Sequence, residues 1–436
     1  MTSADFWDSF LQGLSMAVMG ALAVFLFYNI ATHLRIWRES HLILLSSLLL
    51  RIFLIYAQQI HPFLPFKRDP LSYDSFGTEL VHGSSFQAVV FASNTWGGFN
   101  DIGQVAHVVD TAFFMAIFGA YPHVLPIINS FVILVAALLC LDIIQKSSLV
   151  EGARWWAGVL FATSVFFYPG CLLTSLYNAR DLIVGFAFVL AVHGLLTQKR
   201  FSSAEFIIGA VIFVGLRLTN IVFISSMMFV FYLVWSPPEK RLRAFTIAGV
   251  VGAFALGLAL VFKSSILQLL SVDFLTSVAQ HQMDTGDRMY PIKVDVSTLS
   301  GFAAYIPVKL FYFLYYPFPW EPPGAQKQQY IDTIYTLGIT PLFFYSWFVA
   351  WGQSRRQVIN AATGKLFLFC MFAGMICMGG LSLVSPTPGA TVRYRIPFVY
   401  LLNTGMALAL AAAFVRTAPA PAGSRGTMKL ADDLQR

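Results

Sequence analysis

The chain has 436 residues, of which 57% are apolar and 11% charged, against roughly 25% charged in an ordinary soluble domain. That is too little charge to coat a core of this size, so a soluble globular protein is excluded and lipid must cover much of the surface. The net charge of +7 fits Lys and Arg gathered in cytoplasmic loops, with no nucleic-acid partner implied.

The opening segment, MTSADFWDSF, has two Asp and no basic region, unlike a cleaved signal peptide. Apolar blocks follow, of the length a helix needs to cross about 30 Å of hydrocarbon; the alternating ten-residue strands of a membrane barrel do not occur. Eleven spans are predicted, near 13–34, 41–58, 122–144, 155–172, 181–197, 204–217, 219–235, 245–262, 331–352, 366–384 and 396–415. The fold class is thus an all-α polytopic membrane protein with one transmembrane domain over 1–416. The tail 417–436, with its TAPAPAGSRG, reads as disordered and cytoplasmic.

Basic clusters separate the spans: Arg35/Arg38, Lys146/Arg154, Lys199/Arg200, Lys240/Arg241/Arg243 and Arg355/Arg356/Lys365. Placing them inside puts the N-terminus outside and the C-terminus in the cytoplasm. Two long segments, about 59–121 and 263–330, then face outward. Within them Ile102–Gly119 and Gly301–Trp320 are assigned to surface helices, because counting the former as a span would export most of the basic clusters. The four cysteines (Cys140, Cys171, Cys370, Cys377) lack metal or disulfide spacing and read as buried apolar fillers.

The first outer segment opens with Phe66-Lys67-Arg68-Asp69-Pro70-Leu71-Ser72-Tyr73-Asp74. An acid at the membrane boundary can act as general base for an acceptor hydroxyl if its pKa is tuned; a solvated loop acid neutralised by Lys67 and Arg68 is the alternative. Next comes the turn Tyr177-Asn178-Ala179-Arg180-Asp181. There Asp181 is either a helix cap or converges with an acid of the first loop, Asp69, on a divalent cation such as Mg or Mn. Arg217 interrupts FIIGAVIFVGLRLTNIVFISS at the outer end of a tight helical hairpin, either snorkelling or meeting a lipid phosphate. Arg51 lies mid-span with no site to serve and reads as structural. In Thr391-Val392-Arg393-Tyr394-Arg395-Ile396-Pro397, two arginines and a tyrosine at a helix mouth make a phosphate clamp.

Together these pieces resemble the GT-C fold glycosyltransferases, membrane enzymes that use polyprenyl-phosphate sugars. Asp69, Tyr73, Gly77, Leu80 and Gly83 are similar to the opening motif of bacterial members. AFFMAIFGAYPHVLPIINSFVILVAALL resembles the run from a surface helix into the next span. LFATSVFFYPGCLLTSLYNARDLIVGFAFVLAVHGLL resembles the following helical pair, with Asp181 at the second acid. GLRLTNIVF resembles the Arg-bearing hairpin, and RYRIPFVYLLNTGMALALA the closing turn and span. In this chain Asp69 is followed by Pro70 and the next acid is Asp74, so either can be the base. Leu218, not Pro, follows Arg217, and an additional span precedes the first loop.

The resemblance implies an inverting hexosyl- or pentosyltransferase in a bacterial inner membrane, with its site facing the periplasm. It would move one sugar from a polyprenyl-phosphate donor to a glycan, lipid or protein acceptor. Asp69 would be the catalytic acid and Asp181 a metal or acceptor-site acid. Tyr73, Asp74 and Tyr394 would lie at the substrate, and Arg217, Arg393 and Arg395 would face the lipid phosphate. A polysaccharide polymerase or ligase, and a transporter or flippase of lipid-linked glycans, are the alternatives.

Overall fold

A computed structural model describes residues 3–62, 68–83, 102–217, 220–237, 299–315, 327–355, 360–384 and 392–414, with isolated positions 239 and 318. All regular structure among the described residues is helical. In chain order the helices are α1 Ser3–His33, α2 Arg38–Ile60, α3 Arg68–Val81, α4 Ile102–Phe118, α5 Val124–Gln145, α6 Glu151–Phe166 and α7 Pro169–Thr174. There follow α8 Arg180–Gln198, α9 Ala204–Leu216, α10 Ile221–Trp235, α11 Leu299–Tyr315, α12 Lys327–Arg355, α13 Ala361–Val384 and α14 Ile396–Phe414.

Among the described residues seven helices are long and apolar enough to cross a membrane: α1, α2, α5, α8, α12, α13 and α14. The chain is an integral membrane protein of the all-α class. The sequence expectation of eleven spans is therefore met in its coarser form. The predicted spans at 155–172, 204–217 and 219–235 coincide with the shorter helices α6, α9 and α10. The span at 245–262, the tail 417–436 and most of 263–330 lie outside the described residues.

Local chemistry explains several boundaries. Ser203 caps α9, its hydroxyl oxygen accepting from the Phe206 amide at 3.3 Å. Pro169 starts α7 where a missing N–H costs nothing, which breaks the predicted 155–172 helix in two. Arg35 and Lys199 stand in the left-handed region just past α1 and α8 (φ 55° and 52°), ending those helices without the usual glycine.

Burial sorts the helices into layers. In the most apolar window of α5, α8 and α14, 78%, 72% and 83% of residues are buried, against 28% in α1 and 22% in α12. The first three form the interior, with α6 between α2 and α14, α9 against α8, α10 against α13, and α12 against α14. Phe25, Phe53, Phe344 and Phe348 stay exposed on α1, α2 and α12, as lipid-facing side chains would. The four cysteines are free and buried.

α5 and α8 run parallel. Near the start of α5, Asn129 donates to the Tyr177 carbonyl just ahead of α8 (3.1 Å), while near its end Asp142 meets His193 (2.7 Å). The bundle therefore has two polar ends, one at the Tyr177–Asp181 turn and one at Asp142. Arg51, fully buried on α2, donates to the Cys171 carbonyl (3.0 Å) and the Ser175 hydroxyl (2.6 Å), pinning the segment that leads into that turn. This is the structural use expected of it.

Candidate functional site

The turn from Asn178 to Asp181 gathers side chains from five regions of the chain. On one side lies the pair α3/α4, joined by Tyr73, Phe76 and Val108. Gly77 makes this packing possible: a Cβ there would stand 2.6 Å from the Thr111 methyl, so no larger residue fits. The close approach sets Asp74 over the turn. Asn178 donates one amide hydrogen to Asp74 Oδ1 (2.8 Å) and another to Thr111 Oγ1 (3.2 Å), and its carbonyl oxygen accepts from His107 Nε2 (2.9 Å). With these three bonds Asn178 fixes both its own orientation and the His107 tautomer.

Burial dominates the electrostatics on this side. It pushes the Asp74 carboxyl up to about 6, with the Asn178 bond pulling the other way. Burial, helped by the Arg180 charge, lowers His107 to about 4, so the ring is neutral at pH 7. Asp110, 3.9 Å from the other His107 nitrogen, is also raised by burial, to about 6. Tyr73 packs edge-on against His107 with ring centroids 4.8 Å apart.

On the other side stand the guanidinium groups. Asp181, 6% exposed, sits in the first turn of α8 with no capping bond. Arg217 Nη2 lies 3.3 Å from its Oδ1 and Arg393 Nη1 3.6 Å from its Oδ2. Arg217, placed between α9 and α10, also lies over the Tyr394 ring at 3.9 Å, a cation–π contact that fixes its plane. Arg180 is buried beside Asp181 and donates to the Leu216 carbonyl (3.2 Å), tying the turn to the end of α9. Among the described residues three guanidinium groups, those of Arg180, Arg217 and Arg393, stand around the Asp181 carboxylate, and Arg217 and Arg393 keep 18% and 15% of their side chains exposed. Partly exposed, forked guanidinium donors are of the kind that suits a phosphate.

The predicted site residues thus divide. Tyr73, Asp74, Asp181, Arg217, Arg393 and Tyr394 surround one turn. Arg395 does not join them. It is buried, ion-pairs with Asp332 of α12, and donates to the carbonyls of Phe313 (3.3 Å) and Leu314 (3.1 Å), which makes it an anchor between α11, α12 and α14. Asp332 presses against Gly170, where a Cβ would stand 2.4 Å from its Oδ1. Arg395 also lines an apolar cavity of about 240 Å³ with Leu310, Leu314, Ile339 and Phe343.

Asp69 lies one residue into α3, and its side chain is outside the described residues. The expected divalent cation fits poorly at Asp181, since both carboxylate oxygens already face a guanidinium. Among the described residues no group of three His, Cys, Asp or Glu has metal-binding geometry. The sequence reading missed Asn178, His107, Arg180 and Asp332. His107 and Asp332 carried a signal, a polar residue inside an apolar run; Asn178 carried none beyond its place in the turn. No family model matches the chain, nor does any curated protein or solved structure.

Proposed function

We propose that the protein is a membrane glycosyltransferase of the GT-C type, moving one sugar from a polyprenyl-phosphate donor to an acceptor hydroxyl at the Asp181 end of the bundle. One observation carries this reading: a half-buried acid, Asp74, and two partly exposed arginines, Arg217 and Arg393, meet around a single four-residue turn. The acid stands on the side where a nucleophile would lie, the cations where a phosphate would leave.

In the proposed step Asp74 takes the proton of the acceptor hydroxyl, whose oxygen forms a bond to the anomeric carbon. The bond from that carbon to the phosphate oxygen breaks, and its electron pair leaves on the polyprenyl phosphate. Arg217 and Arg393 neutralise the charge growing there, the kind of preorganised stabilisation that dominates many transfer reactions. Asp181 and the Tyr394 ring hold the two guanidinium groups in place beforehand. A single displacement inverts the anomeric centre. The apolar cavity beside Arg395 offers room for the first prenyl units. No step is routed through a metal.

Asp74 is favoured over Asp69 as the base because its burial tunes it to about 6, near a working pH. The test is transfer by the full-length protein in lipid nanodiscs, with single-sugar polyprenyl-phosphate donors and acceptor extracts. Asp74→Asn should lower turnover by about 100-fold or more. Loss in Asp69→Asn with full activity in Asp74→Asn would move the base to Asp69. Full transfer in both, or transport of lipid-linked sugar across vesicles without transfer, would sink the reading. A donor requirement for an oligosaccharide would favour a polymerase.

A further inference from the structure

We infer that the end of the bundle opposite Asp181 carries a binding site for a phosphate-bearing anionic phospholipid headgroup, in the cavity between the ends of α1, α5 and α6. This site is separate from the transfer reading and does not rest on it. The cavity holds about 430 Å³, and Arg35, Lys146 and Arg154 supply its cations.

Its carboxylates do not cancel that charge. Asp142 is already engaged by Lys146 and by His193 Nε2 (2.5 and 2.7 Å), and His193 Nδ1 turns to Glu205 (2.8 Å). Only Glu151 remains among the lining acids, against two guanidinium groups. Among the described residues neither Arg35 nor Arg154 has a carboxylate within ion-pair reach, and the Arg154 Nε is shielded from solvent without an acceptor.

The two arginines are also held in advance. Arg35 occupies the left-handed region (φ 55°), a conformation unfavourable for any residue but glycine. Gln145 stabilises it by donating to the Arg35 carbonyl (2.7 Å), and the Gln145 carbonyl accepts from Arg154 Nη1 (2.9 Å). One chain of bonds thus fixes the Arg35 backbone and the Arg154 guanidinium at the cavity wall.

The surroundings favour a lipid over a free ion. Trp37 and Leu34 line the cavity, and Trp155 and Trp156 follow Arg154 directly. Tryptophan concentrates where membrane meets water, which sets the cavity at headgroup height with an apolar wall for an acyl chain. Basic pockets between span ends recognise anionic headgroups in this way.

The experiment compares melting of the full-length protein in nanodiscs of phosphatidylcholine alone and of equal parts phosphatidylcholine and phosphatidylglycerol. The anionic lipid should raise Tm by about 2 °C or more in the native chain. The shift should persist in Arg38→Gln, an exposed neighbour that does not line the cavity, and vanish in Arg35→Gln/Arg154→Gln. Should the double variant fail to fold, native mass spectrometry on Arg35→Gln alone should find fewer retained phosphatidylglycerol molecules than on the native chain. Inorganic phosphate added to the phosphatidylcholine discs is the arm for a soluble source, and a Tm rise there without one from phosphatidylglycerol would overturn the lipid assignment. Equal shifts in the native, Arg38→Gln and double-variant proteins would reduce the effect to general surface attraction and overturn the site.

Discussion

The two ends of the parallel pair α5 and α8 solve the same problem in opposite ways. Both place charged groups at the margin of an apolar bundle, where an unpaired charge costs several kcal/mol. At the Asp142 end, two carboxylates bracket His193 and Lys146 closes the group, joining α5, α8 and α9. At the Asp181 end, one carboxylate faces two arginines from distant parts of the chain, a third arginine lies beside it, and a second acid stands across Asn178. The first cluster is nearly balanced and closed on itself, as a clamp should be. The second is partly open: Arg217 and Arg393 keep 18% and 15% of their side chains exposed, whereas the anion site inferred at the Asp142 end uses Arg35 and Arg154 beside the closed cluster.

Substitutions can break or sharpen that contrast. The largest expected effect is at the arginines: if they carry the leaving phosphate as proposed, Arg217→Ala or Arg393→Ala should each lower transfer by about 100-fold. Arg→Lys at either position should recover only part, because the forked geometry is lost. Steady-state kinetics with the lipid donor measure both.

Next in size is the pH dependence. Asp74 must be ionised to accept a proton, and its pKa is raised to about 6, so turnover should fall about tenfold from pH 7 to pH 5. The same upward shift means that ionisation works against the fold. The stability cost is absent below the ordinary aspartate range near 4 and fully present above about 6. Asp74→Asn should therefore melt no lower than the native chain at pH 7 while transferring poorly.

The opposite pattern is expected at the other end. His193→Phe leaves Asp142 and Glu205 without their shared partner and should cost about 3 kcal/mol, read as a lower Tm, while transfer by the surviving folded fraction stays within about twofold of native. Glu205→Gln should cost least, under about 1 kcal/mol, because its side chain is 39% exposed and can still bond His193. A His193 variant that loses transfer without losing stability would remove the distinction between clamp and site.

Parts of this site were legible beforehand. Arg217, Arg393 and Asp181 announced themselves as charges at the ends of apolar blocks, where burial is expensive enough to demand a reason. Asp74 was visible only as the second acid of a loop, because its burial depends on Gly77 admitting α4. Arg395 carried the same sequence signal as Arg393 two residues earlier, yet one reaches Asp181 and the other Asp332. Both stand ahead of α14, Arg395 in the turn that leads into it, and no sequence pattern says which neighbour waits for each. Asn178 was quoted within its turn and His107 fell inside the Ile102–Gly119 surface helix, but neither was singled out, since neither residue type is unusual in a turn or an amphipathic helix.

Composition alone determined the solvent: a chain with 11% charge and 57% apolar residues must be covered by lipid, and backbone satisfaction within lipid then requires helices. The order of the apolar blocks, matched to hydrocarbon thickness, located the seven long helices among the described residues, while Pro169 broke the block at 155–172 in two. Only the tertiary structure decided which charges share a site. Asp74, Asn178, Asp181, Arg217 and Arg393 lie up to 319 positions apart (393 less 74), and their meeting depends on side-chain packing between helices, which hydropathy does not encode.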